Sequence, residues 1–338
     1  MPDLLLPQPY LLFLGDTTEP GYAKTAFGLR DWAPERCLGE YACQGATVST
    51  GLPYLTPAEA RRAGAQAMVI GVANAGGFIP PVWFQALIEA MEAGLDLVGG
   101  MHARLRDFPV LREIAEQLGR RLIDVREPPT GIPVASGRPR TGNRLLTIGT
   151  DCALGKKYTA LALARAFQAR GIDATFRATG QTGILIAGGG IPMDAVVADF
   201  AAGAAEMLTP DAPHTHWDVI EGQGSLHHPA YAGVSLALLH GSQPDVFVVC
   251  HEPGRERVLG HAGYLVPGLR ETIELALQLG ARTSPRIRCA GVSLNTGKME
   301  QRAAHAHMAA ESERLGMPVA DPMRGGDAFR QLVDNCLA

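Results

Sequence analysis

Glu221, Gln223, Ser225, His227 and His228 fall within eight residues of one another, in the segment VIEGQGSLHHP at 219–229. A carboxylate, a hydroxyl and two imidazoles on one glycine-jointed loop can take a proton, orient a substrate and stabilise an oxyanion. Glu221 also ends an apolar run, where a carboxylate can serve a magnesium ion through its water shell. The adjacent histidines have no third ligand in view, so the pattern predicts acid–base work and no metal site. A second segment, GTDCALGKKYTA at 149–160, follows the apolar run Leu145–Ile148 and precedes an alanine- and leucine-rich helical pattern. Strand, glycine loop and helix in that order are the setting of a phosphate-binding loop.

Five residues separate Gly149 from Gly155, one more than the strict spacing of such loops, and placing Thr150 in the first glycine position restores the frame. Gly149, Thr150, Asp151, Cys152 and Gly155 would turn backbone N–H groups inward, the helix start would add its positive dipole end, and Lys156 a full charge. Lys157 stands where a nucleotide hydrolase needs Ser or Thr to ligate magnesium, and Thr159 lies two residues too late to replace it. The loop therefore predicts a phosphorylated cofactor held without metal-assisted phosphoryl transfer. Coenzyme A, with a diphosphate and a further phosphate, fits that expectation. In ATGQTGILIAGGGIP, 178–192, Gln181 and Thr182 lie between glycines after a predicted strand, where loops of an open parallel sheet line the ligand crevice. His251, Glu252 and Asn295 end later strands, and Asn295 is placed to read a nucleotide base.

These segments need a sheet to hold them, and the chain predicts two. From YLLFLGD at 10–16 to RRLIDVR at 120–126, apolar strand runs alternate with helical patterns; Thr56-Pro57 with Glu59 marks one helix start. The Pro- and Gly-rich segment 127–143 reads as a linker, after which the alternation resumes. The expectation is an α/β protein of two domains, residues 1–138 with a Rossmann-like parallel sheet and residues 139–338 with a P-loop NTPase-like parallel sheet carrying helices on both faces. GVANAGG does not have dinucleotide-fingerprint spacing. A net charge of −4 gives no electrostatic footprint for nucleic acid. No run of about 18 apolar residues predicts a membrane span. Six scattered cysteines without a CxxC pair suit free thiols in the cytoplasm. Only 19% of residues are charged, which suits extensive burial and a homo-oligomer.

Taken together, KTAFGLR, GVANAGGFIP, GGMHARLRD, GTDCALGKKYTA, ATGQTGILIAGGG, EGQGSLHHPAYAGVSLALLHGSQPD, CHEP and LNTGK resemble the D-glutamate N-acetyltransferase-like family, long labelled a domain of unknown function. The resemblance spans nearly the whole chain. It implies a Rossmann-like domain followed by a P-loop domain, acetyl-CoA as donor and a small dicarboxylic amino acid, D-glutamate, as acceptor. The amine must lose a proton before attacking a thioester, which makes Glu221 or His228 the candidate base, with His227 in reserve. Ser225 or loop N–H groups would stabilise the oxyanion. Gln181, Thr182 and Gln223 would meet the substrate, and its carboxylates call for Arg177, Arg255 or Arg104. Lys156, Lys157 and the loop amides would hold the coenzyme A phosphates. The alternative is an ATP- and magnesium-dependent kinase or ligase similar to dethiobiotin synthetase, whose phosphate loop 149–156 resembles. In that reading Asp151 and Glu221 organise Mg²⁺.

Overall fold

The structure, a computed structural model, describes residues 6–74 and 76–338. Strand β1 (Tyr10–Phe13) is apolar and buried along its whole length. That is the pattern of a strand covered on both faces in a parallel sheet. The first unit continues with α1 (Lys24–Trp32), β2 (Cys37–Tyr41), α2 (Pro57–Arg62), β3 (Ala67–Ile70), α3 (Phe84–Glu92), β4 (Asp96–Gly99), α4 (Pro109–Leu118) and β5 (Leu122–Asp124). The strands pair in parallel in the order β2-β1-β3-β4-β5. The expected start of α2 is a full capping box, Thr56 and Glu59 each satisfying the other's backbone N–H behind Pro57.

The second unit holds β6 (Asn143–Gly149), α5 (Lys156–Ala169) and β7 (Ala174–Arg177), and after the segment α6 (Gln181–Ala187) it resumes with α7 (Ala198–Leu208), β8 (Trp217–Ile220), α8 (Ala232–Ser242) and β9 (Val246–His251). The hairpin β10 (Arg257–Val258) and β11 (His261–Leu265) follows, then α9 (Leu269–Gly280), β12 (Arg288–Leu294), α10 (Gln301–Leu315), β13 (Val319–Ala320) and α11 (Gly326–Leu337). Its six strands run in the order β13-β12-β9-β6-β8-β7, and all pair in parallel. The strand that feeds the glycine loop, β6, is thus flanked directly by β8, which Glu221 follows, and β9, which ends at His251. The α/β class with two parallel sheets is as the sequence led us to expect.

Two features differ from expectation. Contacts divide the chain into one unit of residues up to Pro128 together with Gln181–Pro192, and a second of Pro129–Gly180 with Met193–Ala338. The segment after Pro128 is not a free linker, since the backbone at Pro133 packs on Gly203 and Ser136 N donates to Glu206. Residues 181–187, expected as a glycine loop, form a helix of the first unit with Thr182 and Ile184–Ile186 buried. Thr182 Oγ1 lies 2.9 Å from Thr25 Oγ1, Arg36 donates to the Leu185 carbonyl, and Gln181 packs on Gly100 so closely that a Cβ there would sit 2.8 Å from its own. Among the described residues no helix is long and apolar enough to cross a membrane.

Candidate active site at the strand ends of the second sheet

The loop after β6 turns through Ala153 at φ +53° and Gly155 at φ +107°, the latter a conformation that excludes a side chain, before α5 begins at Lys156. The Lys156 stem is packed between glycines. A Cβ on Gly149 would stand 2.9 Å from its Nζ, and one on Gly222 would stand 3.1 Å from its Cδ. Nζ donates to the Asp151 carbonyl at 2.8 Å, and burial pushes the ammonium pKa down. Lys157 is half-buried with its Nζ over the Tyr158 ring. Thr159, expected at the cofactor, is instead buried beneath the loop, 2.7 Å from Ser293 Oγ. Its place one turn into α5 directs it at β12.

Asp151 is fully buried and acts as a clamp. Oδ1 accepts Cys152 N at 2.6 Å, while Oδ2 accepts Arg255 Nη1 at 3.1 Å and Leu259 N at 2.9 Å. Arg255 also donates to the Cys152 carbonyl and pairs with Glu252, which Lys298 reaches from its other side. Arg255 therefore ties the glycine loop to the chain entering the β10–β11 hairpin, and is not the free carboxylate binder the sequence suggested. Arg177 is likewise paired, its Nε donating to Asp218 at 2.5 Å. Arg104 is exposed and, with Gln181 and Thr182, belongs to the first unit.

Glu221 follows β8 and is 5% exposed. Its Oε2 accepts the N–H groups of Thr179 (2.9 Å) and Gly180 (3.1 Å) at the end of the neighbouring β7 segment. Thr179 Oγ1 donates to the Glu221 carbonyl and accepts Gln223 Nε2, locking the three residues together. Burial pushes the Glu221 carboxyl above its ordinary range, opposed first by Lys157, then by the two N–H groups and Lys156. A carboxylate raised in this way is suited to proton transfer.

His228 is held from one side. Its Nδ1 faces the N–H groups of Ala230 (3.1 Å) and Tyr231 (3.2 Å), so Nδ1 is an acceptor and the ring's single proton sits on Nε2. Tyr231 and His261 pack against the ring. Burial pushes its pKa down, which keeps the ring neutral. Nε2 is buried 3.9 Å from Asp151 Oδ1, with no partner at ordinary hydrogen-bond distance and the Leu259 backbone acting weakly on the ring. This corrects one expectation: His228 offers a proton at Nε2 and has no free lone pair to act as base. Ser225 is buried and its Oγ accepts His227 N, the geometry of a turn. His227 has its Nδ1 3.9 Å from Glu271 and is also pushed down by burial. Asp151, Cys152 and His228 bring ligand-type atoms within 4.8 Å of one another. With Nε2 protonated and Arg255 on the carboxylate, that trio is arranged for anions and protons, since a cation would have to displace both. Asn295 is exposed at the end of β12, its Oδ1 accepting Gly297 N.

Sequence reasoning did not single out Thr179, which fixes Glu221, or His261, which backs His228. Thr179 stood in the quoted ATGQTG stretch; nothing at His261 marked it.

A parallel sheet with a glycine loop at its central strand, a lysine at the helix start and a carboxylate on the adjacent strand defines a P-loop protein, here joined to a Rossmann-like unit. The chain belongs to the DUF1611 family: residues 133–332 match the family's P-loop domain and residues 35–128 its Rossmann-like domain, both described as domains of unknown function. It is 49% identical over 322 residues to a D-glutamate N-acetyltransferase of Tritonibacter scottomollicae, covering 95% of this chain and 97% of that one. A D-glutamate N-acetyltransferase of a Pseudoalteromonas species is 46% identical over 318 residues, covering 94% and 96%. The crystal structure of a DUF1611 family protein from Anabaena variabilis superposes with a TM-score of 0.88 at 32% identity, covering 98% of this chain and 99% of that one.

Proposed function

We propose that this protein is a D-glutamate N-acetyltransferase that moves the acetyl group of acetyl-CoA onto the substrate amine. The observation that carries the reading is Glu221, a buried carboxylate with raised pKa beside two lysines. Glu221 takes the ammonium proton, the freed amine attacks the thioester carbonyl, and the Nε2–H of His228 is the donor suited to the oxyanion. The names of the two bacterial relatives agree with this chemistry. The kinase or ligase alternative is less well supported. Asp151 is occupied by Arg255 and Leu259 N, Oε2 of Glu221 by two N–H groups, and no hydroxyl stands at Lys157.

One loop does not serve both ends of the donor. The pantetheine arm is as long as about four extended residues, so thioester and diphosphate lie ~14 Å apart. Lys156 and Lys157 both act electrostatically on Glu221. A diphosphate on these lysines would leave the thioester beyond the reach of Glu221. The acceptor's carboxylates on Lys157 and the loop amides bring its amine to Glu221 instead. We therefore place D-glutamate at the loop and the donor phosphates away from it. The test is production of N-acetyl-D-glutamate by the purified protein, followed by Lys157→Ala assayed with acetyl-CoA and with acetyl-pantetheine. The expected result is a rise of roughly tenfold in KM for D-glutamate with both donors. A defect confined to acetyl-CoA would return the loop to the diphosphate, and absence of product would sink the acetyltransferase reading.

A further inference from the structure

Cys152 is the nucleophile-type side chain that the mechanism above leaves unused. It is partly exposed at the tip of the loop, while Cys250, Cys289 and Cys336 have thiols pushed up by burial. Its sulfur lies in a cluster with Asp151 and His228 whose ligand-type atoms are all within 4.8 Å of one another, and other polar groups surround the residue. Lys156 is an electrostatic neighbour of Cys152, and α5, a helix of 14 residues, starts four residues after it. Arg255 donates to the Cys152 carbonyl at 2.7 Å, bringing a second cation to the same residue. His228, its ring buried and its Nε2 with no partner at ordinary hydrogen-bond distance, brings a ring nitrogen within 4.8 Å of the sulfur. The buried Asp151 carboxylate belongs to the same cluster, and its Oδ2 is taken up by Arg255 and Leu259 N.

We propose that Cys152 carries the acetyl group between donor and acceptor, an inference that rests on the acetyltransferase reading. The thiol loses its proton to solvent, and the Cys152 sulfur attacks the carbonyl carbon of acetyl-CoA. The new S–C bond forms, the tetrahedral oxyanion accepts the His228 Nε2–H, and the old C–S bond breaks to release coenzyme A thiolate, which takes a proton from water. One thioester replaces another, so no oxidant, reductant or further co-reactant is required. The D-glutamate amine, its ammonium proton taken by Glu221, then attacks the acetyl carbon of acetyl-Cys152. As the C–S bond of the adduct breaks, the second nitrogen proton passes to the departing Cys152 sulfur, which leaves as the thiol, and the amide is released while Glu221 returns its proton to solvent. Each half-reaction passes through its own tetrahedral oxyanion at the same acetyl carbon, so one N–H donor can serve both.

The test is to incubate the wild-type protein with acetyl-CoA and no D-glutamate. Intact mass spectrometry should find one adduct of about 42 Da per chain, removed by hydroxylamine and mapped by peptide analysis to Cys152. Labelled coenzyme A should also exchange into acetyl-CoA without acceptor, and Cys152→Ala should abolish exchange while melting as the wild type does. Should that variant fail to fold, the wild-type exchange and peptide map decide alone. An adduct on another residue, no adduct with no exchange, or near-normal turnover by Cys152→Ala would overturn the proposal. If N-acetyl-D-glutamate forms by direct transfer in that case, the acetyltransferase reading survives and only the acyl-enzyme falls.

Discussion

Glu40 and Glu221 are both buried carboxylates at the ends of parallel strands, one in each sheet, and both are 5% exposed. Burial therefore does not distinguish them; their hydrogen bonds do. Glu40 has both oxygens engaged, Oε1 by Ser49 Oγ and Oε2 by the N–H and hydroxyl of Thr50. It pins the segment after β2 to the strand. The two N–H bonds to Glu221 fall on a single oxygen, beside two lysines. Elsewhere in the first unit, Trp83 Nε1 donates to Asp16. In the second, His228 Nε2 has no partner at ordinary hydrogen-bond distance. The two glutamates thus differ in kind, one with both oxygens engaged and one with its two N–H bonds on a single oxygen. The chemistry lies in the loops and not in the fold that carries them.

The largest effect that separates the two carboxylates is kinetic. Glu221→Gln should lower kcat/KM by about 10²–10⁴-fold, the range for removal of a general base. In the wild type, kcat/KM should rise with pH along a limb displaced upward from an ordinary carboxylate, because burial raises this group, and a pH–rate profile reads that limb directly. An unchanged rate in Glu221→Gln would erase the distinction from Glu40. Gly222→Ala comes next, since a Cβ there would meet the Thr147 carbonyl oxygen at 1.7 Å. It should cost about 3 kcal/mol or more, measured by denaturant unfolding, because backbone must move to admit it.

Glu40→Gln should lose about 1–3 kcal/mol in the same measurement, since an amide cannot accept at both ends as the carboxylate does. Turnover per folded molecule should stay within about twofold, and a larger fall would mean that the first sheet takes part in the chemistry. The smallest effect has the opposite sign. The folded-state pKa of Glu221 is raised, so its contribution to stability is full below the unfolded pKa and is lost as pH rises through the folded value. Glu221→Gln should therefore melt about 2 °C higher than wild type near pH 8, roughly 1 kcal/mol, and the gain should vanish near pH 4. A lower melting temperature at the alkaline end would make Glu221 a structural carboxylate like Glu40.

Much of this was determined by the sequence alone. Apolar runs alternating with amphipathic patterns specify α/β units with parallel strands, because only a strand buried on both faces is apolar throughout. Thr56-Pro57 and Glu59 specify a helix start through local hydrogen bonds. Gly155 before Lys156 specifies the turn into α5, since the φ of +107° required there is open to glycine. Glu221 is recognisable by type and position, as a carboxylate following an apolar strand. Partnership is another matter, because it depends on what lies opposite in space. The run GILIA is apolar on every side and too short for its period to tell helix from strand, and its burial against α1 of the first unit is what makes it a helix there. Arg255 and Arg177 look like free carboxylate binders until Asp151, Glu252 and Asp218 arrive from other segments to pair with them. The role of His228 turns on two backbone N–H groups that claim its Nδ1 and leave the proton on the other nitrogen. Local chemistry is written in adjacent residues, but a side chain's protonation and availability are set by its neighbours in three dimensions, and only the tertiary structure supplies those.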